Sequence, residues 1–258
     1  MTYPVIPDKH RLTAIVEPAA MLEHRRRGGR VASSEPLQGV VVCLQRGLPE
    51  RLRWRIRLRR LGRLMGDLFA VRATEGRVAV LTNFGLGAPV AAAQAEELIA
   101  LGATRLISVA LAGGLQPSLE PGAIVVPERA IRDEGTSYHY LAPEPEIAAD
   151  GSLVGGLLEA LAEPGRTVQR GRIWSTDAPY RETREEVQRW QGEGVLAVDM
   201  ELAALLAVAR ARGVGAAGVV VVGDSLADGV WTPPPRLDAM ERSLEAAYRA
   251  AIQVLDHG

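Results

Sequence analysis

The chain has 258 residues, of which 47% are hydrophobic and 24% are charged. This size and composition favour one large α/β domain, and the formal net charge of −1 gives no general attraction to nucleic acids or anionic lipids. No apolar run is long enough to cross a bilayer, and the N-terminus lacks the apolar stretch of a secretory signal. We therefore expect a cytoplasmic protein with no nucleic-acid or membrane partner.

The first 38 residues combine prolines with a cluster of arginines, which is typical of an irregular N-terminal arm. We place a single domain at residues 39–258, where short apolar runs alternate with longer segments of helical periodicity. This alternation predicts a mostly parallel central sheet with helices packed against it. The predicted strands are residues 40–44, 78–83, 105–111, 123–127 and 217–222. The predicted helices are residues 90–101, 153–161, 184–191, 200–212 and 237–255.

The only cysteine, Cys43, lies in the first apolar run, which predicts a buried and unreactive thiol. The four histidines are scattered along the chain and do not have metal-ligand spacing. We therefore expect no metal ion and no cofactor.

Arginines alternate with apolar residues between residues 51 and 59. A period of two puts the cationic and apolar side chains on opposite faces. The pattern favours the solvated face of an edge strand or helix, and an anion-binding or subunit-contact surface is the alternative.

Acidic and glycine residues follow several of the predicted strands. Asp199 and Glu201 stand where an apolar run turns into a helix, Asp224 ends the last predicted strand, and Gly113 follows the central one. Ligands of open α/β sheets bind beyond the carboxyl ends of the strands, so these residues predict a polar pocket. The alternative for Asp199 and Glu201 is a structural role, with the first as N-cap of the helix and the second in its first turn.

Six segments occur in an order that is more specific than any of them alone. They are GLGAP at residues 85–89, AGGLQP at 112–117, PGAIVV at 121–126, RDEGTSYHY at 132–140, STDAPY at 175–180 and VDME at 198–201. Their order resembles the type-one nucleoside phosphorylases, which include uridine phosphorylase, the hexameric purine nucleoside phosphorylases and the methylthioadenosine nucleosidases. The resemblance implies a three-layer α/β/α domain around a distorted mixed sheet, a homo-oligomer of two, three or six subunits, and cleavage of the N-glycosidic bond of nucleosides.

The resemblance also implies roles for individual residues. It places Met200 under the ribose, Glu201 on the ribose hydroxyls, and Asp224 as the catalytic acid beside the departing base. The residues implied to contact the base are Ala112, Gly113 and Tyr180. These roles fit the chemistry, because an oxocarbenium-like sugar and a departing base both need polar partners.

The phosphate site departs from the family pattern. Ser108 and Leu111 occupy the positions where the family has an arginine and a hydroxyl residue, which removes the strongest anion ligands. The remaining candidates for a phosphate or anion contact are Gly47, Arg51 and Ser108.

The base site departs as well. Thr183 and Glu185 lie near the positions of the glutamine and arginine that uridine phosphorylase uses, which argues against uracil. The retained Asp224 favours a purine.

The function predicted from the sequence is phosphorolysis of a purine nucleoside, with nucleoside and inorganic phosphate as the small-molecule partners. A phosphate-independent nucleosidase and a catalytically silent nucleoside-binding protein are the alternatives. The segment at residues 229–235 follows Asp224 closely and is interpreted as a surface loop with Trp231 packed inward, the alternative being a lid over the base.

Overall fold

The computed structural model describes residues 4–30, 37–45, 47, 52, 55–234 and 237–257. The strands in this part of the chain are β1 Gly39–Cys43, β2 Leu58–Arg63, β3 Asp67–Val71, β4 Val78–Thr82, β5 Arg105–Gly114, β6 Ile124–Asp133, β7 Glu146–Ala148, β8 Val168–Thr176, β9 Ala197–Asp199 and β10 Gly215–Ser225. The α-helices are α1 Pro18–Arg27, α2 Ala88–Ala100, α3 Gly151–Leu161, α4 Arg184–Gly192, α5 Leu202–Arg212 and α6 Asp238–His257. Short 3₁₀ helices lie at Lys9–Arg11, Arg72–Thr74, Ser137–His139 and Pro179–Arg181.

The strands form one mixed sheet in the order β10-β6-β8-β9-β5-β1-β4-β3-β2, with β7 paired to β6. The longest ladders are parallel and join β5 to β10 and β6 to β8. Because β10 also pairs with β5, the strands β5, β10, β6, β8 and β9 close on themselves. From β5 of this closed ring, the strands β1, β4, β3 and β2 extend as an open sheet that ends at β2.

Helices cover both faces of the sheet, and alternate residues of each central strand contribute to two separate cores. Val40 and Val42 of β1 pack in the core with α1, α2 and α5. Val41 and Cys43 pack in the other core with α3 and α6. Strands buried on both faces need continuous apolar runs, which explains why these strands were recognisable in the sequence.

The predicted fold class is confirmed: the chain forms a three-layer α/β/α arrangement around a mixed sheet in which the longest ladders are parallel. Each predicted strand and helix has a counterpart in the structure. The boundary at residue 39 stays a prediction. The predicted arm is not wholly irregular, because α1 lies within it and is held by buried Leu22 and by an ion pair of 2.9 Å between Arg25 and Glu97 of α2.

The alternating arginine segment is partly described. Leu52 and Ile56 are buried in the core beside α6, while Arg55 is exposed and pairs with Glu245 at 3.3 Å. From Leu58 the chain continues as β2 at the edge of the sheet. This part of the segment therefore has the solvated cationic face that the pattern favours.

We predict that Gly113→Ala lowers the free energy of unfolding by about 1–3 kcal/mol, because it overpacks the point where β5, β9 and β10 meet. A Cβ at this position would lie 2.6 Å from Leu226 Cδ1, 3.1 Å from Val198 Cγ1 and 3.2 Å from Asp224 Oδ1. Urea unfolding measures the effect. Gly155→Ala is the matched control, since Gly155 lies in α3 with no atom within 4 Å of an added Cβ, and alanine favours a helix. Equal stability of the two variants would contradict the prediction.

Candidate active site

A cavity of about 900 Å³ lies beyond the carboxyl ends of β1, β5, β9 and β10. The strand ends supply Leu44 and Gln45 after β1, Ala112 and Gly113 in β5, and Asp224 in β10. This location is where parallel sheets bind ligands, because the strands end there and the connecting loops surround the opening.

Asp199 organises the part of the cavity that β9 and α5 build. Its Oδ1 accepts a hydrogen bond from Ser175 Oγ at 2.5 Å, and its Oδ2 accepts one from the backbone N–H of Leu202 at 2.9 Å. Asp199 therefore joins β8 to the start of α5 and fixes the turn at residues 200–201 between them. Burial raises the pKa of this carboxyl above its usual range, while the bond from Ser175 opposes the shift.

Glu201 is buried at the same end of the cavity. Its Oε1 accepts a hydrogen bond of 2.6 Å from the backbone N–H of Gly87, the residue before α2. Burial raises the pKa of Glu201, and the nearby charge of Asp199 raises it further. The backbone N–H groups of Gly87 and Met200 both act on this carboxylate and oppose the rise, and Glu201 lines the cavity.

Asp224 also lines the cavity, on a strand end that a bulge reshapes. The pairing of β10 with β5 shifts at Gly223, and this shift puts Asp224 opposite Gly113. Asp224 Oδ2 accepts a hydrogen bond of 2.7 Å from the indole N–H of Trp231. Glu182 lines the cavity as well, and its pKa is raised to about 7, mainly by burial and further by the charge of Asp224.

Comparison with known proteins agrees with this fold and shows the family. The sequence model of the phosphorylase superfamily matches residues 8–256. The chain belongs to this superfamily. It superposes with a TM-score of 0.70 on the crystal structure of uridine phosphorylase from Vibrio fischeri, with 26% identity over 88% of this chain and 93% of that one.

Curated relatives of this phosphorylase-superfamily chain have different named substrates. It is 32% identical to the guanosine phosphorylase of Halorubrum lacusprofundi over 60% of its own length and 64% of the relative's. It is 28% identical to the uridine phosphorylase of Salmonella typhimurium over 57% and 65% of the two lengths. A purine nucleoside phosphorylase of Bacillus cytotoxicus is 29% identical over 69% and 77%. The chain thus spans slightly less than two thirds of the first two relatives.

Most of the residues predicted for this superfamily site are brought together. The predicted residues that line this cavity are Ala112, Gly113, Tyr180, Met200, Glu201 and Asp224. Tyr180 is fully exposed and stands at the rim.

The residues predicted to contact phosphate or another anion are not found in the cavity wall. Ser108 does not line the cavity, because its buried side chain faces the neighbouring strand, where a Cβ at Gly218 would approach its Oγ to 2.8 Å. Gly47 has a positive φ of 77° and is not part of the cavity wall, and Arg51 lies outside the described residues.

Several side chains of the cavity were not predicted from the sequence, among them Glu182, Arg184 and Trp231. Glu182 and Arg184 are the sequence neighbours of Thr183, which also lines the cavity, whereas Glu185 does not. The expectation that Trp231 packs inward was wrong: 63% of this residue is exposed, and it forms part of the cavity wall. The sequence offered one indication: Glu182 and Arg184 closely follow Tyr180, and Trp231 closely follows Asp224, which were both predicted site residues.

Cys43 is buried, as its apolar surroundings predict. Within the described residues, no three side chains of His, Cys, Asp or Glu are placed to hold a metal ion. Over the same part of the chain, we find no helix with the length and apolar character that a membrane span requires.

We predict that Glu201→Gln raises the free energy of unfolding relative to the wild-type chain, and by more at about pH 8 than at about pH 4.5. The pKa of Glu201 is raised in the folded state. The wild-type chain therefore loses stability as the pH rises from about 4.3, the ordinary pKa of a glutamate, to the raised pKa of Glu201. The glutamine side chain of the variant does not ionise, so the variant has no such loss, and its amide oxygen can still accept the hydrogen bond from the Gly87 N–H. Urea unfolding at both pH values measures the difference. Exposed Glu185→Gln is the control, and a pH-independent difference for Glu201→Gln would contradict the prediction.

Proposed function

We propose that this chain cleaves the N-glycosidic bond of a purine nucleoside and transfers the pentosyl group to inorganic phosphate. The observation that carries the proposal is that Glu201, in the turn after β9, and Asp224, in β10, line the same cavity together with Met200 and Gly113. Two carboxyl groups in these positions can act on the two halves of one nucleoside.

The sugar half fits the side of the cavity around Glu201. The carboxylate oxygen that does not bind Gly87 can accept hydrogen bonds from ribose hydroxyls, and Met200 provides an apolar surface beside them. As the bond from C1′ to the base breaks, positive charge develops on the sugar ring. A fixed carboxylate nearby stabilises this charge more than it stabilises the neutral substrate.

The base half fits the side around Asp224 and Glu182. When the glycosidic bond breaks, its electron pair moves onto the base, and a carboxyl group of Asp224 can donate a proton or a hydrogen bond to a ring nitrogen. A purine has an acceptor nitrogen in its five-membered ring and further polar groups on its six-membered ring. It can therefore engage Asp224 and Glu182 together, whereas a pyrimidine has no five-membered ring.

Arg184 adds a donor to the same side of the cavity. Its guanidinium packs over Gly229, where a Cβ would lie 3.0 Å from Nη1, and it has no hydrogen bond or ion pair with another described residue. Arg184 can donate hydrogen bonds to an oxo group of a base, and the carboxylate of Glu182 can accept one from the neighbouring N–H group of that base. This combination supports a purine that carries a 6-oxo group.

The decisive experiment incubates the purified chain with guanosine, inosine, adenosine and uridine, each with and without inorganic phosphate. We expect base release from the purine nucleosides that depends on phosphate and yields ribose 1-phosphate, because a phosphate oxygen replaces the base at C1′. Release of uracil alone would contradict the purine proposal. No release from any nucleoside under either condition would contradict the proposed enzyme.

Hydrolysis is a second candidate that one observation favours. Leu111 lines the cavity where the family resemblance implies a hydroxyl ligand for phosphate, and Ser108 does not reach the cavity. A less cationic pocket suits neutral water as the nucleophile. Equal rates with and without phosphate, and free ribose as the product, would support this candidate.

We predict that Asp224→Asn lowers kcat for purine nucleosides by about 10²–10⁴-fold, because the amide cannot supply the proton that the base takes. Steady-state measurement of base release checks this expectation. Asp228→Asn is the matched control, since Asp228 is exposed on the same loop and does not line the cavity. A kcat for Asp224→Asn within about twofold of wild type would rule out this role, because a general acid contributes far more.

We also predict that kcat/KM for guanosine rises as the pH increases through about 7, the pKa to which Glu182 is raised by burial and by the charge of Asp224. The ionised carboxylate accepts hydrogen bonds from base N–H groups, whereas its protonated form is a weaker acceptor. The pH profile of Glu182→Gln should lack this rise, and the profile of exposed Glu185→Gln should keep it. An identical rise in all three proteins would exclude Glu182 as the source.

A further inference from the structure

The segment after β10 forms a closed loop that is tied to the body of the protein. Ser225 and Thr232 exchange backbone hydrogen bonds of 3.0 and 2.8 Å across its base. Leu226 donates its N–H to the Gly114 carbonyl at 2.9 Å, and Gln191 of α4 donates its side-chain N–H to the Ala227 carbonyl at 2.7 Å. These bonds fix the position of Trp231 at the end of the loop relative to β5 and α4.

The contact between Trp231 and Asp224 constrains where a proton can reside. The indole nitrogen is a donor only, so Asp224 Oδ2 acts as the acceptor in this bond of 2.7 Å. The other oxygen, Oδ1, lies against Gly113, where an added Cβ would approach it to 3.2 Å. In a protonated carboxyl group the carbonyl oxygen is a better acceptor than the hydroxyl oxygen, so this bond favours a proton on Oδ1 over one on Oδ2.

Gly113 lines the cavity, so Oδ1 lies beside the cavity wall. The charged groups facing Asp224 from the opposite loop are Glu182 and Arg184, with Glu186 behind Glu182. The bond from Trp231 to Oδ2 therefore sets the orientation of Asp224 relative to these groups.

We propose that Trp231 is a positioning residue for Asp224: its indole N–H holds the carboxyl group in one orientation and favours the transferable proton on the oxygen beside Gly113. This inference rests on the proposed function, since it assigns Trp231 a part in proton donation to the base. The exposed indole ring of Trp231 also forms part of the cavity wall. A substitution that keeps an aromatic ring but removes the N–H distinguishes the effect of the hydrogen bond from that of the wall.

The test compares Trp231→Phe, which keeps an aromatic ring without the N–H, with the wild-type chain on two substrates. One is the purine nucleoside that the wild-type chain cleaves best, and the other is p-nitrophenyl riboside, whose leaving group needs no proton. We expect kcat for the nucleoside to fall about tenfold with KM nearly unchanged, because the ring remains while proton donation weakens. The kcat for p-nitrophenyl riboside should stay within about twofold of wild type, since a positioning role affects only the proton-dependent step.

Two further variants complete the experiment. Trp231→Gln restores a donor N–H and should recover part of the lost kcat. Val230→Ala alters an exposed neighbour on the same loop outside the cavity wall and should behave as the wild-type chain does.

Equal losses of Trp231→Phe on both substrates would indicate a merely structural role and overturn the inference. Unchanged kcat on both substrates would overturn it as well. If the wild-type chain cleaves no nucleoside, the proposed function fails and the positioning role fails with it, an outcome already visible before any variant is made.

Discussion

The buried carboxylate of Asp199 is the interaction on which the site depends. It binds the Ser175 hydroxyl on β8 and the backbone N–H of Leu202 at the start of α5, and so connects two elements that approach the cavity from different directions. Met200 and Glu201 occupy the two-residue turn between these bonds. Because both ends of the turn are held, their positions are set by the fold before any ligand binds.

This arrangement has an energetic cost that the rest of the fold must offset. Asp199 and Glu201 are both nearly inaccessible to water, and their charges repel one another, so ionising them disfavours the folded state. Two continuous cores on either side of the sheet provide the apolar burial that makes this tolerable. Functional sites commonly hold such unfavourable charges, because a group that is already desolvated interacts strongly with its ligand.

The features that could be predicted from the sequence are those that local pattern determines. β1, β4, β5, β6 and β10 are apolar on both faces and were recognisable, whereas β8 carries Arg170 and Arg172 and β9 has only three residues, so neither gives a clear signal. Glu201 and Asp224 were predicted because they follow strands. Glu182, Arg184 and Trp231 were not, because their approach to the cavity depends on how two loops from distant parts of the sequence fold against each other. Ser108 was misplaced because its side chain faces α5 and β10 inside the sheet, a direction that an aligned motif does not reveal.

The closed ring of β5, β10, β6, β8 and β9 has a consequence for how this protein can change. Each strand of the ring pairs with a neighbour on both sides, so no single strand can shift its register. The distance between the turn after β9 and the end of β10 is therefore fixed by the fold. Variation is left to the loops at residues 179–184 and 225–232, which contact the cavity from outside the ring. Exchange of these two loops between relatives is therefore a route by which the ligand accepted at one end of the cavity could change while the end around Glu201 is preserved.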